Sequence, residues 1–143
     1  MISNDLNNIV VRLKSTGEMN FLPAATQEQI DDFEIQKNVK LPLKLKEWLL
    51  FSDGGEFYLP AGVQLYGIAQ KPVIDVSDDN RPSDNYFVIG ALSTGDPILC
   101  EKDAERISIY NQEAGKIEDD EIYADFLTFM NSLDEILGIE EVS

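Results

Sequence analysis

The spacing of apolar residues changes once along this chain, at the glycine pair Gly54-Gly55. Before the pair, apolar residues recur every three or four positions, which is typical of amphipathic helices. After it, short runs rich in β-branched and aromatic residues follow one another with no helical pattern between them. Parallel strands need long crossover connections, usually helices, so this order favours an antiparallel meander.

Three helices are predicted before the glycine pair. Thr26 and Gln29 have the spacing of a capping box, which starts the second helix. Pro42 is expected to start the third, because its missing N–H would be unpaired in a first turn, and the glycine pair is expected to end it. The residues expected to face the core are Leu6, Ile9, Val10 and Leu13 in the first helix, Ile30 and Phe33 in the second, and Leu45, Trp48 and Leu49 in the third.

Five strands and one closing helix are predicted after the pair. The strands are expected at 57–59, 63–68, 86–89, 98–100 and 107–110. The closing helix is expected to begin near Ile122, and its apolar face comprises Ile122, Phe126, Phe129, Met130, Leu133 and Leu137. No repeat or linker-like tract interrupts the chain. We therefore expect an α+β fold in one domain over residues 1–143, with a mostly antiparallel sheet of about five strands covered by the N-terminal helices and the C-terminal helix.

Charge excludes several classes of ligand. The 143 residues include 11 Lys and Arg against 27 Asp and Glu, so the net charge is −16. A protein with this field lacks the basic footprint that nucleic acid requires, and anionic membranes are disfavoured for the same reason. The acidity is uneven, because residues 1–72 carry a net −2 and residues 73–143 a net −14.

The scarcity of nucleophiles and metal ligands argues against an enzyme. The chain has no histidine, so Ser-His-Asp and Cys-His systems and His-containing zinc sites are excluded. Cys100 is the only cysteine, lies in an apolar run and suits a reducing compartment. The start of the chain resembles no export signal and no run is apolar enough to span a membrane, so a cytoplasmic location is expected. Asp78-Asp79-Asn80 begins like a calcium loop, but Ser83 stands where such a loop needs glycine. No catalytic residue, cofactor or metal is predicted.

Acidic residues cluster in three segments of the second half, and these are the candidate partner-binding residues. A converging set of such loops would accelerate encounter with a basic partner, whereas the alternative is a merely solvated face that maintains solubility. Tyr86, Tyr110 and Tyr123 lie near these segments and are candidate anchors. The acidic candidates are Asp75, Asp78, Asp79 and Asp84 in the first segment, Glu101, Asp103 and Glu105 in the second, and Glu118, Asp119, Asp120 and Glu121 in the third.

Several motifs, taken in order, resemble the SUKH superfamily of Smi/Knr-like domains, over roughly residues 20 to 137. They are Thr26…Ile30…Phe33-Glu34, Leu41-Pro42…Leu45…Trp48-Leu49, Gly54-Gly55, Leu65-Tyr66-Gly67, Phe87-Val88-Ile89-Gly90, Gly95-Asp96-Pro97-Ile98 and Ala124-Asp125-Phe126-Leu127-Thr128-Phe129. One departure is Asp53, where members of the superfamily usually carry Asn; both residues suit a turn before glycine.

The resemblance implies an α+β domain without catalytic activity. For bacterial members it implies an immunity protein that binds and neutralises a toxin, often one that acts on nucleic acid, and for fungal relatives an interaction hub. An acidic surface suits the first role, because it can occupy the site of a basic toxin where phosphates would lie. The expected partner is therefore a cognate toxin with a basic surface, with a regulatory interaction scaffold as the alternative. The sequence leaves the oligomeric state open.

Overall fold

A computed structural model of the protein describes residues 4–15, 18–58, 62–69, 73–74, 86–92, 95–101 and 104–132. Within these residues, four helices and seven strands are present. The helices are α1 (Asn4–Lys14), α2 (Gln27–Lys37), α3 (Leu43–Leu49) and α4 (Phe126–Asn131). The strands are β1 (Glu18–Asn20), β2 (Gly55–Tyr58), β3 (Gly62–Leu65), β4 (Tyr86–Leu92), β5 (Pro97–Glu101), β6 (Ile107–Asn111) and β7 (Lys116–Tyr123). No helix in the described part of the chain is long and apolar enough to cross a membrane.

The seven strands form one sheet in the order of the chain, β1 to β7, and every neighbouring pair is antiparallel. The predicted α+β class and the meander are confirmed. All five predicted strands are present, as β2 to β6. Two further strands, β1 and β7, lie at the two edges of the sheet. Both were missed, because β1 has three residues and β7 carries an acidic run that does not have the alternation of a half-buried strand.

The pairing of β6 with β7 contains an irregularity. Ser108 pairs with Ile122, and Tyr110 pairs with Ile117. The single residue Ile109 therefore stands opposite the four residues 118–121, which are all acidic. Such a bulge bends and twists a strand, and it is common at sheet edges.

The helices pack on one face of the sheet around a shared apolar core. Alternate residues of the central strands belong to this core, such as Phe87 and Ile89 in β4, whereas Val88 points to the opposite face. Trp48 of α3 is fully buried and contacts the rings of Phe57 and Phe126 at centroid distances of 5.6 and 6.3 Å. The predicted core role of Trp48 is confirmed, and so is that of every apolar residue assigned to the first three helices.

Helix boundaries agree with the prediction in part. The capping box is present, since the Gln29 N–H donates to the Thr26 hydroxyl and the Thr26 N–H donates to the Gln29 side chain. Pro42 is the N-cap residue of α3 and not its first helical residue, and α3 ends at Leu49, before the glycines.

The closing helix begins at Phe126, after the N-cap Asp125, so the expectation that it starts near Ile122 was wrong. Ile122 belongs to β7 and is 43% exposed. Phe126, Phe129 and Met130 are buried as predicted, whereas Leu133 and Leu137 lie outside the described residues.

Candidate interaction surface

At one end of the sheet, β4 and β6 begin and β5 and β7 end. These four strand termini lie close in sequence to the predicted acidic segments. At this end Tyr86, the first residue of β4, pairs with Glu101, the last residue of β5. One position further in, Ile107 at the start of β6 pairs with Tyr123 at the end of β7. We call this region the Tyr86–Glu101 end. Asp84 precedes β4 by two residues, and the third acidic segment ends two residues before Tyr123.

Glu101 is the last residue of β5 and is partly buried. Its carboxylate forms an ion pair with Arg106, with the Nε atom 3.2 Å from Oε2. The side chains are 30% and 58% exposed, respectively, so solvent weakens this pair. The two residues flank the β5–β6 turn. Glu101 is therefore engaged within the chain while remaining open to solvent.

Glu105 lies in the same turn and contacts a helix instead of pointing freely into solvent. The backbone N–H of Leu43 donates to both carboxylate oxygens of Glu105, at 3.1 and 3.0 Å. Leu43 is the first residue of α3, and its N-cap Pro42 offers no side-chain acceptor. The first N–H groups of a helix have no partner inside it, so an outside carboxylate satisfies one of them. The cap of α3 thus comes from a residue 62 positions away.

The remaining acidic candidates are placed by the backbone only or lie outside the description. Residues 118–121 belong to β7 at its bulge, and their side chains are not described. The residues outside the described ranges are Asp75, Asp78, Asp79, Asp84 and Asp103. Whether the three segments form one contact surface stays a prediction.

The three candidate anchor tyrosines differ in their surroundings. Tyr123 packs edge-on against Phe129, with ring centroids 5.5 Å apart, and belongs to the border of the core. Tyr86 and Tyr110 are half-buried. They lie outside the core cluster and its border. Of the three, Tyr86 lies at the Tyr86–Glu101 end outside the core, whereas Tyr110 lies toward the opposite end of β6, beside the β6–β7 turn.

Sequence reasoning missed the role of Asp53, which is 1% exposed. Its carboxylate accepts hydrogen bonds from the N–H groups of Ile68 and Ala69, at 2.7 and 2.8 Å. A Cβ on Gly67 would lie 2.7 Å from the Asp53 carboxylate, so the backbone approaches too closely for any side chain there. The signal was the acidic residue before the glycine pair, which we interpreted only as turn chemistry. Asp53 therefore fixes residues 67–69, beyond β3, to the turn that follows α3.

Cys100 is fully buried, and burial raises the pKa of its thiol well above the ordinary value, with a smaller contribution from the negative charge of Glu105. A neutral thiol in this position is a poor nucleophile. Among the residues that the structure describes, no group of three or more Cys, Asp or Glu side chains is arranged to hold a metal ion.

These observations define the protein as an α+β domain in which helices cover one face of an antiparallel meander, with Glu101 beside and Glu105 within the β5–β6 turn at one end of the sheet. The chain belongs to the SMI1/KNR4 family (SUKH-1), whose sequence model matches residues 24–132. The match covers about three quarters of the chain and includes α2, α3, β2 to β7 and α4. No curated protein matches the chain at a significant level. The predicted superfamily membership is confirmed, and it indicates a domain of the immunity or Smi/Knr type that acts through protein contacts.

Proposed function

We propose that this protein is a cytoplasmic immunity protein that neutralises a cognate bacterial toxin by direct stoichiometric binding. The toxin has a basic surface and acts on nucleic acid, and the acidic residues of segments 75–84, 101–105 and 118–121 face it. The protein performs no catalysis, and residues 1–143 act as one domain. A non-catalytic regulatory scaffold of the Smi/Knr type is the second candidate, because family membership favours both.

The register of β4 to β7 is the observation that supports this proposal most directly. Tyr86 pairs with Glu101, and Ile107 pairs with both Cys100 and Tyr123. β4 and β6 therefore start, and β5 and β7 end, at the same end of the sheet. The acidic segments lie close to these termini in the sequence. Charges that lie on one side of a protein add to a common field, which steers an oppositely charged partner during encounter.

The amount of charge also favours a partner role. Residues 73–143 carry a net −14, which is far more than solubility requires of a small domain. A toxin that cleaves or modifies nucleic acid needs a positive surface to hold phosphates. An acidic protein that covers this surface competes with the substrate, so binding alone is sufficient for neutralisation.

The test begins with the protein encoded immediately upstream of this gene, where the proposal expects the toxin, purified with a tag and mixed with the wild-type protein. We expect a one-to-one complex by light scattering and loss of toxin activity at equimolar concentration. Charge reversal at Asp78, Asp79 and Asp84 is expected to slow association about tenfold at low ionic strength. The difference in association rate between this variant and the wild type should shrink at 0.5 M salt, where screening limits the interaction between charges to a few ångströms.

A matched control separates local contact from total charge. Charge reversal at Asp31, Asp32 and Glu113 changes the net charge by the same amount, but these exposed residues lie on α2 and in the β6–β7 turn. This control is expected to change the association rate less than threefold. Equal effects of the two triple variants would contradict the proposed surface. Binding of ordinary cellular proteins, with no effect on any toxin, would favour the scaffold.

A further inference from the structure

We propose that Glu105, in contrast to the other acidic residues of the segments that face the toxin, is a positioning residue of this interface and not a contact residue. The inference rests on the proposed function, since it concerns how the acidic β5–β6 turn is presented to the toxin. Both oxygens of its carboxylate are bound to the Leu43 N–H of α3, so the side chain is already engaged in the free protein. Glu105 thus anchors the turn that carries Asp103 and adjoins Glu101.

The surroundings of this contact explain why the turn needs an anchor. A groove of about 600 Å³ lies between the start of α3 and the β5–β6 turn. It is lined by Lys40, Leu41, Leu43, Lys46, Ala104 and Glu105. Glu105 spans this groove, and Leu43 beside it is 59% exposed. The turn itself is closed by the Ala104 N–H, which donates to the Glu101 carbonyl at 3.3 Å, and the charge-assisted hydrogen bond of Glu105 joins this turn to α3.

The contact also completes α3, a helix of only seven residues. The other wall of the groove is fixed in a similar way, since Glu34 accepts from the Leu41 N–H at 2.7 Å and lies 3.7 Å from the Lys46 Nζ atom. One carboxylate thus secures the loop before α3, and a second carboxylate secures α3 to the β5–β6 turn. The carboxylate retains lone pairs that are open to solvent, but a toxin cation that paired with it would weaken the charge-assisted cap of α3.

Two substitutions at position 105 separate anchoring from charge. Glu105→Gln removes the charge but keeps an oxygen that can accept the Leu43 N–H, whereas Glu105→Ala removes both. We expect toxin dissociation at 0.5 M salt to become about fivefold faster in Glu105→Ala, because the loosened turn must be ordered on binding. In Glu105→Gln we expect a change of less than twofold. Equal, large losses in both variants would identify Glu105 as a contact residue and overturn the inference.

Substitutions at the donor provide an independent test. Leu43→Pro removes the N–H at a first helical position, where proline is well accommodated, and Leu43→Ala keeps it. Leu43→Pro is expected to reproduce the effect of Glu105→Ala, and the double variant should be no worse than either single variant. Additive losses would overturn the inference. Leu43→Ala is the matched control for the exposed side chain.

Amide hydrogen exchange measures the anchor without any toxin. Exchange at Leu43 is expected to be about tenfold faster in Glu105→Ala than in wild type, and faster by less than about threefold in Glu105→Gln, whose oxygen accepts without the charge. Unchanged exchange in Glu105→Ala would show that the carboxylate does not hold the turn, and this result too would overturn the inference. Failure of the wild-type protein to bind the toxin would instead refute the proposed function, and the exchange result would still decide whether Glu105 is an anchor.

Discussion

Replacement of Asp53 gives the sharpest test of how the region after α3 is held together. In Asp53→Ala, the N–H groups of Ile68 and Ala69 lose an acceptor that is 1% exposed. A hydrogen bond to a charged group contributes about 1.5–3 kcal/mol. Ala69 is exposed, so water can replace part of its bond. We therefore expect Asp53→Ala to lower the free energy of unfolding by about 2–4 kcal/mol.

Asp53→Asn is the informative companion, because an amide offers one acceptor oxygen where the carboxylate offers two. The side chain cannot shift away, since it packs directly on the backbone of Gly67. One N–H therefore keeps its partner, and we expect a loss of about 1–2 kcal/mol, roughly half of that in Asp53→Ala.

The assay is urea denaturation followed by the fluorescence of Trp48, which is the only tryptophan and is fully buried. Unchanged m-values would show that the variants unfold over the same surface as the wild type. A loss below about 0.5 kcal/mol in Asp53→Ala would refute the argument that these hydrogen bonds stabilise the fold. Equal losses in the two variants would refute the argument from the number of acceptor oxygens.

Three further predictions concern stability and reactivity. Burial raises the pKa of the Cys100 thiol, so the thiol stays protonated in the folded protein at pH values where it ionises in the unfolded chain. The free energy of unfolding should therefore fall as pH rises above about 8.5. Cys100→Ala should remove this component of the pH profile, and a thiol reagent should react with Cys100 only after unfolding. Thr26→Ala should cost about 1 kcal/mol in urea denaturation through loss of the capping box, and no loss would contradict that role. Gly90→Ala should cost about 1–3 kcal/mol, because the added Cβ would lie 2.4 Å from the Gln64 carbonyl oxygen, and a melting temperature equal to that of wild type would contradict it.

The sequence predicts those parts of the fold in which local pattern and burial agree. The stripe from Leu6 to Leu13 and the capping box at Thr26 are local signals, and the structure reproduces both. β7 was missed because four consecutive acidic residues stand at its bulge, so the strand is stabilised by pairing with β6 and not by its own pattern. The same error moved the start of the last helix to Ile122.

The candidate site was predictable by composition but not by geometry. The acidic segments are evident from the sequence, and the charge difference between the halves of the chain identifies them. The engagement of Glu105 with Leu43 and the burial of Asp53 are contacts between distant segments. A single sequence contains no spacing rule for such contacts, because they depend on how the sheet folds back against α3.

The bulge in β7 allows the length and composition of one segment to vary independently of the fold. The ladder is regular on both sides of it, at Ile107–Tyr123 and Ser108–Ile122 before it and at Tyr110–Ile117 and Asn111–Lys116 after it. Residues 118–121 lie between these pairs in an edge strand, so adding or removing a residue there is expected to preserve these pairings and the core. A change in the length or charge of this segment is therefore expected to alter the surface beside β7 while the remaining pairings of the sheet stay the same.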